Sequence, residues 1–408
     1  MDAVETPHAY IADEAELSLL RELIEEHAAI DRPAGGTGEF RSAQLLRDRL
    51  LEAGTNARIE PATFYKGWPS ALALALSVPI AAGFLAPRRG RKTLALASVA
   101  AGAMVADDID NRTRILRRLL RRQRPTTNVV AELGPAGAPV TLIVLAHHDA
   151  GRTGVMFDQS LQKAIWERWP HRVESVDTSL PYWWPAFLAP VAVGLGLLTG
   201  SRKLQLGGAA FSSVAFGLLA DIARSPNVPG ANDNLSGVAV LVALAERLRE
   251  RPIDGARVVL VSAGAEEELQ GGVYDYLSDH GAELDPASTY CLAVDTVGSP
   301  QLVMLEGEGT VAMEDYTDPS FRDLVADVAG AHGVSLDRGL RSRFSTDGVV
   351  TSRAKIPTVS LVSLEPWKAP SNYHLMTDVP ENLTYETIAA TTELCERVAL
   401  RLAARAEA

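Results

Sequence analysis

Apolar residues recur at helical spacing over residues 13–30, up to the turn "DRPAGGTGEF", and again over 41–54, where "RSAQLLRDRLLEAG" stops at Gly54. Glycine is common just past a helix end, so two helices are predicted here. From residue 127 the pattern changes to short β-rich apolar runs alternating with helical ones. "TNVVAEL" and "VTLIVLA" read as neighbouring strands, "LSGVAVLVALAERLRE" as a helix, "ARVVLVSAG" as a strand and "GGVYDYLSDHG" as a helix. Then "STYCLAVDT" and "QLVMLEG" read as strands, "SFRDLVADVAGAHG" as a helix, "IPTVSLV" as a strand and 384–405 as a long closing helix. Such alternation predicts an α/β fold with a mostly parallel central sheet flanked by helices.

Four runs break this pattern because they carry no charge: 69–86, 93–106, 182–200 and 204–220. They pair into two helical hairpins, each with a basic tip. A spanning helix needs about 20 apolar residues, within a range of roughly 17 to 25. Three runs reach or approach that range, and 93–106 is short. All four are rich in Ala and Gly, which keeps burial as core helices open as the alternative. Against it, two charge-free hairpins are unusual in a soluble core, and Trp68, Tyr182, Trp183 and Trp184 stand at the segment ends where an aromatic belt would lie. Two inserted membrane hairpins are therefore expected. The domain division that follows is 1–66, N-terminal helices of the catalytic domain; 67–110, hairpin 1; 111–180, catalytic domain; 181–223, hairpin 2; and 224–408, catalytic domain.

Each hairpin crosses a bilayer an even number of times, so the remaining chain stays on one side. The tips carry Arg88, Arg89, Arg91, Lys92, Arg202 and Lys203, whereas the other side carries "RTRILRRLLRRQR" at 112–124. The larger positive count makes that side cytoplasmic. The acidic N-terminus, with no basic start followed by an apolar run, does not read as a secretory signal. The arginine run suits either a solvated helix face or a basic amphipathic helix against anionic headgroups, with Leu116, Leu119 and Leu120 turned to the lipid.

Composition narrows the class. Hydrophobic residues at 47% and charged ones at 22% describe a folded chain, and a net charge of -12 argues against nucleic-acid binding. Two cysteines, Cys291 and Cys395, give neither a disulfide framework nor a Cys-rich zinc module.

The chemistry lies in five short pieces: "VLAHHDA" at 144–150, "PGANDNLSG" at 229–237, "SAGAEEELQGG" at 262–272, "LAVDTVG" at 292–298 and "SNYHLMTD" at 371–378. Each sets a His, Asp or Glu at the end of an apolar run or in a Gly-rich turn, where an open α/β sheet carries its functional groups. Imidazole and carboxylate together suit catalytic zinc. His147 and Asp149, two apart, face the same way on a strand end, so one can bind metal while the other orients it. Asp233, in a turn before a helix, has two oxygens and can bridge two metals; a helix cap is its structural alternative. Glu266 and Glu267 face different directions, which permits one ligand and one general base. Asp295 ends an apolar strand, where an unpaired charge is costly. His374 follows Tyr373 in a loop before the last helix.

In the order His-x-Asp, Asp, Glu-Glu, Asp, His, the chain resembles the co-catalytic di-zinc aminopeptidase family that includes bacterial leucyl aminopeptidase and aminopeptidase S. The likeness covers about 36–60, 126–150 and 226–405 and leaves the hairpins as insertions. "GANDNLSG" is close to the family signature, and "IPTVSLV" after "STDG" is similar to its late strand. The resemblance implies two zinc ions per chain, one held by His147 and Asp295, the other by Glu267 and His374, with Asp233 bridging. It further implies that Asp149 orients His147, that Glu266 is the general base and that Tyr373 polarises the substrate carbonyl. The substrate would be a peptide with a free N-terminus, the setting an integral membrane one in contact with lipid; a homo-oligomer is left open.

The chain departs from the family at "ELQGG", about one residue shorter, which admits a second register with Glu267 as base and Glu268 as ligand. His148 fills the spacer of His-x-Asp and is not expected to be a ligand, and Gly348 of "STDG" stands where the family often has His or Ala. Two other readings compete: a single-zinc acyltransferase of the glutaminyl cyclase type, and an inactive receptor-like or scaffold protein. The hairpins alone would also serve as a dimer interface or as a lid over a lipid-like substrate.

Overall fold

A computed structural model describes residues 9–86 and 91–406. The hairpin-tip residues Arg88 and Arg89 and the first eight residues, part of the N-terminal stretch read above, lie outside the described residues. The elements in chain order are α1 (Glu14–Ala28), α2 (Thr37–Glu52), β1 (Arg58–Tyr65), α3 (Trp68–Leu85), α4 (Arg91–Ile109), α5 (Ile115–Leu120), β2 (Gln123–Leu133) and β3 (Val140–His147). They continue with α6 (Ser160–Arg168), α7 (Pro170–Glu174), α8 (Trp184–Thr199), α9 (Arg202–Ile222), α10 (Ser236–Glu250), β4 (Ala256–Ala263), α11 (Gly271–His280), β5 (Thr289–Val294) and β6 (Gln301–Glu308). The last are β7 (Glu314–Asp315), α12 (Pro319–Ala331), β8 (Asp337–Ser342), α13 (Gly348–Arg353), β9 (Thr358–Leu364) and α14 (Tyr385–Ala406).

The sheet runs β1-β2-β4-β3-β5-β9-β6-β7, with β8 also on β6. Its centre, β4-β3-β5-β9, is parallel, and antiparallel pairs close both sides. One sequence expectation changes: β2 and β3 are not sheet neighbours, because β4 lies between them, antiparallel to β2 and parallel to β3. The loop joining β2 to β3 is long enough to straddle it.

β3 shows why the centre reads as unbroken apolar sequence. Leu142, Val144 and Ala146 face the cluster formed with α1, α2, α10, α12 and α14, while Ile143 and Leu145 face α11 and α13. A strand buried on both faces has no polar side to alternate. All four parallel strands therefore end, without a solvent-exposed face, at one rim of the sheet.

The uncharged runs form α3, α4, α8 and α9. α3 packs on α4 and α9, and α8 on α4 and α9, around apolar clusters separate from the main core. Small residues let the backbones approach: a Cβ on Gly83 would lie 2.4 Å from that of Ala209, and one on Gly208 2.7 Å from the carbonyl oxygen of Ala189. Outward, Leu74, Leu85, Leu96 and Phe211 are 56%, 78%, 72% and 62% exposed, more apolar surface than isolated exposed residues account for. Among the described residues α3 and α9 are long and apolar enough to cross a membrane, and α8 is shorter.

The arginine run is less helical than its pattern suggests. α5 has 6 residues and the chain enters β2 at Gln123. Leu119 and Leu120 are exposed, as is Ile115, but Leu116, expected on the lipid-facing side, is buried, and Arg117 turns inward and is 1% exposed, paired with Asp108 at 2.6 Å.

Candidate metal centre

The rim at the carboxyl ends of β3, β4 and β5 collects the residues singled out above. His147 is the last residue of β3, Glu266 and Glu267 follow β4 by three and four residues, and Asp295 follows β5 directly. Asp233 comes from the turn before α10, where its peptide bond to Asn234 is cis. The Asn234 side chain ties that turn to β5, donating to the Val294 carbonyl at 2.8 Å and accepting from the Thr296 amide at 3.1 Å. His374 arrives from the loop between β9 and α14.

Asp233 is central. One carboxylate oxygen is 3.2 Å from Nε2 of His147 and the other is 3.2 Å from Nε2 of His374. Glu267 lies 3.3 Å from the His374 nitrogen, and Glu266 and Asp295 lie 3.9 and 4.0 Å from that of His147. Three sets of donor atoms each fall within 4.8 Å of one another: His147 with Asp233 and Asp295; Asp233 with Glu267 and His374; and His147 with Glu266 and Glu267.

The surrounding contacts fix these groups. Asp149 is fully buried, 3.4 Å from Nδ1 of His147, and accepts the backbone amides of Glu266 and Glu267 at 3.0 and 3.1 Å. Nδ1 of His374 lies 2.9 Å from the Arg152 carbonyl, so it carries the proton and leaves Nε2 free to bind. The Asp378 carboxylate accepts the amides of Asn232 and Asp233 at 2.7 and 3.1 Å. His148 points elsewhere, 2.9 Å from the Ser262 hydroxyl. Glu268 also turns away, accepting the Gly67 and Trp68 amides at 2.6 and 3.2 Å.

The electrostatics follow from packing several carboxylates around two buried imidazoles. Burial alone would lower the pKa of His147, but the nearby carboxylates of Asp149 and Asp233, with those of Glu266 and Asp295, raise it well above its ordinary value. Burial likewise opposes charge on His374, yet Glu267 and Asp233 raise it to about 9. Burial and like-charge neighbours push Glu267 to about 8, Asp295 to about 7 and Glu266 well above the usual carboxylate range. Asp233 is lowered: burial would raise it, but both histidines outweigh that. Both ring nitrogens of His147, one oxygen of Glu267 and both oxygens of Asp347 are buried without a hydrogen-bond partner. Such groups are costly unless something satisfies them. A set of His, Asp and Glu donors in this state fits divalent metal, zinc in particular.

Tyr373 stands beside this cluster, its ring 4.3 Å from that of His374 and 5.7 Å from that of Phe344. Several contributors escaped the sequence pattern. Gly151 is one: a Cβ there would lie 2.5 Å from both Glu267 Oε1 and His374 Cε1. Fully buried Arg32 is another, donating to the carbonyls of His148, Pro229 and Gly230 at 3.0, 2.8 and 3.2 Å and so joining β3 to the Asp233 turn. Asp347, in "STDG", is the third; its position in a piece already noted was the one available signal.

Residues 213–399 match the family model described as peptidase family M28. No curated protein matches the chain. Among solved structures, an aminopeptidase from Aneurinibacillus sp. strain AM-1 is similar at 14% identity and a TM-score of 0.55, covering 94% of this chain and 92% of that one. BSAP, a zinc aminopeptidase from Bacillus subtilis, is similar at 14% identity and a TM-score of 0.50 over 95% and 93%. A glutaminyl cyclase from Bacteroides thetaiotaomicron is similar at 12% identity and a TM-score of 0.55 over 94% and 97%. These likenesses concern the fold.

Proposed function

We propose that this chain, of peptidase family M28 over residues 213–399, is a zinc aminopeptidase that removes residues from the free N-terminus of peptides. The observation that carries the reading is Asp233, with one oxygen toward each histidine, an arrangement suited to a carboxylate shared by two metals. His147 and Asp295 would hold one zinc, Glu267 and His374 the other. When bound, zinc supplies a Lewis acid that polarises the scissile carbonyl and makes water acidic near neutral pH.

The chain's own groups do the rest. Glu266 takes a proton from the attacking water and returns it to the leaving amine. Asp149 orients His147 and, by accepting two amides, fixes the turn that carries Glu266 and Glu267. Tyr373 donates to the substrate carbonyl. The recess beside Asp295, lined by Leu305, Leu340, Phe344, Val362 and Tyr373, suits an apolar first side chain.

The division into a catalytic domain interrupted by hairpins at 67–110 and 181–223 is part of this proposal, as is its setting. The exposed apolar faces of α3, α4 and α9 support burial in lipid, with the catalytic domain on the cytoplasmic side.

The test is purification in detergent, metal analysis, and release of amino acids from free and N-acetylated peptides with and without chelator. Two zinc ions per chain and chelator-sensitive cleavage restricted to free N-termini are expected. One zinc per chain with pyroglutamate formation would favour the glutaminyl cyclase reading, which the Bacteroides fold neighbour brings in. Metal without turnover on any peptide would favour an inactive scaffold.

A further inference from the structure

The turn bearing Glu266 and Glu267, between β4 and α11, is unusual in its backbone. Ala265, Leu269 and Gln270 have φ of 53°, 66° and 59°, a region that side chains with a Cβ disfavour. Within the turn, the amides of Gln270 and Gly271 reach the carbonyls of Glu266 and Ala265 at 2.7 and 2.9 Å. It is also held from outside: Glu39 of α2 accepts the Ala265 amide at 2.9 Å, and the Gln270 side chain donates to Ser345 at 3.0 Å. From the sheet, Asp149 takes the amides of Glu266 and Glu267.

The opposite side is held by Trp68, at the start of hairpin 1, and by Asn111 and Arg117 in the segment that follows it. Three successive carbonyls, those of Glu267, Glu268 and Leu269, are each taken by a side-chain donor: Trp68 Nε1 at 2.9 Å, Arg117 Nη1 at 3.1 Å and Asn111 Nδ2 at 2.8 Å. Trp68 opens α3, Asn111 follows α4 and Arg117 lies in α5. Arg117 is itself locked by Asp108 of α4 at 2.6 Å and by the Asn111 side-chain oxygen at 2.7 Å. The start of α3 also holds the Glu268 carboxylate through the Gly67 and Trp68 amides. Trp68 meets Trp183, just before α8, edge to face at 5.5 Å, so both hairpins bear on this contact. Asp149 and Glu39 thus hold amides of the turn, and Trp68, Arg117 and Asn111 hold its carbonyls.

We infer that Trp68, at the start of hairpin 1, and Asn111 and Arg117, just past its end, are positioning residues for Glu266 and Glu267. Hairpin 1 and the segment after it would then support the turn that carries Glu266 and Glu267. The inference rests on the proposed roles of Glu266 and Glu267, but the contacts themselves do not.

The test compares Trp68→Phe, which keeps an aromatic ring and removes the indole donor, with Trp183→Phe, which trims the same aromatic pair without touching the turn. Arg117→Lys serves if Trp68→Phe does not fold. Three readouts are taken on the full chain in detergent: amide exchange over 264–271 without metal, zinc affinity by competition with a chromophoric chelator, and kcat and KM on a peptide. In Trp68→Phe, exchange over the turn should rise and zinc affinity should fall, each roughly fivefold, the shift expected from one ordinary hydrogen bond. kcat should drop with KM within twofold, and Trp183→Phe should leave all three near wild type. Wild-type exchange, zinc affinity and kcat in both Trp68→Phe and Arg117→Lys would overturn the inference. A wild-type chain that binds no zinc would remove the proposed function instead; exchange would then decide, with equal rates in Trp68→Phe and Trp183→Phe counting against positioning.

Discussion

Replacing Gly151 by alanine adds one methyl group at a crowded point of the proposed metal centre. That Cβ would lie 2.5 Å from Glu267 Oε1, 2.6 Å from Glu267 Cδ and 2.5 Å from His374 Cε1. Ordinary contact begins near 3.4 Å, so Glu267 or His374 must retreat by roughly 1 Å, or Gly151 must move by as much. His374 is held at Nδ1 by the Arg152 carbonyl, and the backbone of Glu267 is held through its amide by Asp149. Relief would therefore come from turning the Glu267 carboxylate away from its place beside His374. A displacement of about 1 Å in reacting groups costs on the order of 100-fold in rate, whereas overpacking by one methyl costs about 1 to 3 kcal/mol in stability. Gly151→Ala should therefore fold, with a lowered melting temperature, and lose about two orders of magnitude in kcat/KM. Metal analysis should show less than two zinc ions per chain. Activity within threefold of wild type with full zinc content would refute the placement of Gly151 against the Glu267 and His374 pair.

Other expectations separate the remaining roles. Glu266→Gln should retain metal and lose roughly 100- to 10,000-fold in kcat, the range for a general base, whereas Asp233→Ala should lose metal; the reverse pattern would exchange ligand and base. His27 is buried and its pKa is lowered to about 3 by burial, with Arg32, His148 and Arg49 adding to the effect. It therefore stays neutral when folded and takes up a proton on unfolding, so its contribution is present above about 6.5 and is lost as pH falls, by up to about 1.4 kcal/mol per unit down to about 3. His27→Gln should flatten this part of the acid side of a melting-temperature profile; an unchanged slope would refute it. Phe211→Lys, on the outer face of α9, should cost about 3 kcal/mol of insertion at a helix centre and shift the protein away from floated vesicles. Unaltered flotation would argue against α9 facing lipid.

How far the sequence reached depends on the range over which each signal acts. β3, β4, β5 and β9 were legible because burial on both faces leaves near-continuous apolar runs, and helices α10, α12 and α14 because their spacing repeats. β1 escaped notice: it carries Pro61 and pairs with one strand only, and "RIEPATFY" has little apolar alternation. The arginine run read as a longer helix because composition does not reveal that Arg117 turns inward to Asp108. At the centre, His147, Asp233, Glu266, Glu267, Asp295 and His374 stood out because charge at the end of an apolar run is conspicuous. Gly151 and Arg32 did not, since one matters through atoms 116 and 223 residues away and the other acts on backbone carbonyls, which leave no trace in residue type. Glu268 was ambiguous for a related reason. Only the amides of Gly67 and Trp68, about 200 residues earlier, turn it from the cluster.

The placement of β4 between β2 and β3 bears on how the chain is made. Among the described residues β3 pairs only with β4 and β5, both synthesised more than 100 residues later, and both apolar hairpins have emerged before β4 exists. Throughout that interval β3 is an apolar strand without neighbours, and the hairpins have no catalytic domain to pack against. A ribosome that delivers the hairpins to a membrane early would therefore settle them first, and the sheet would close afterwards around a segment already anchored at the bilayer. If the hairpins insert as proposed, hydrolytic competence would arise only afterwards, so that an unfinished chain would not act while it is being synthesised.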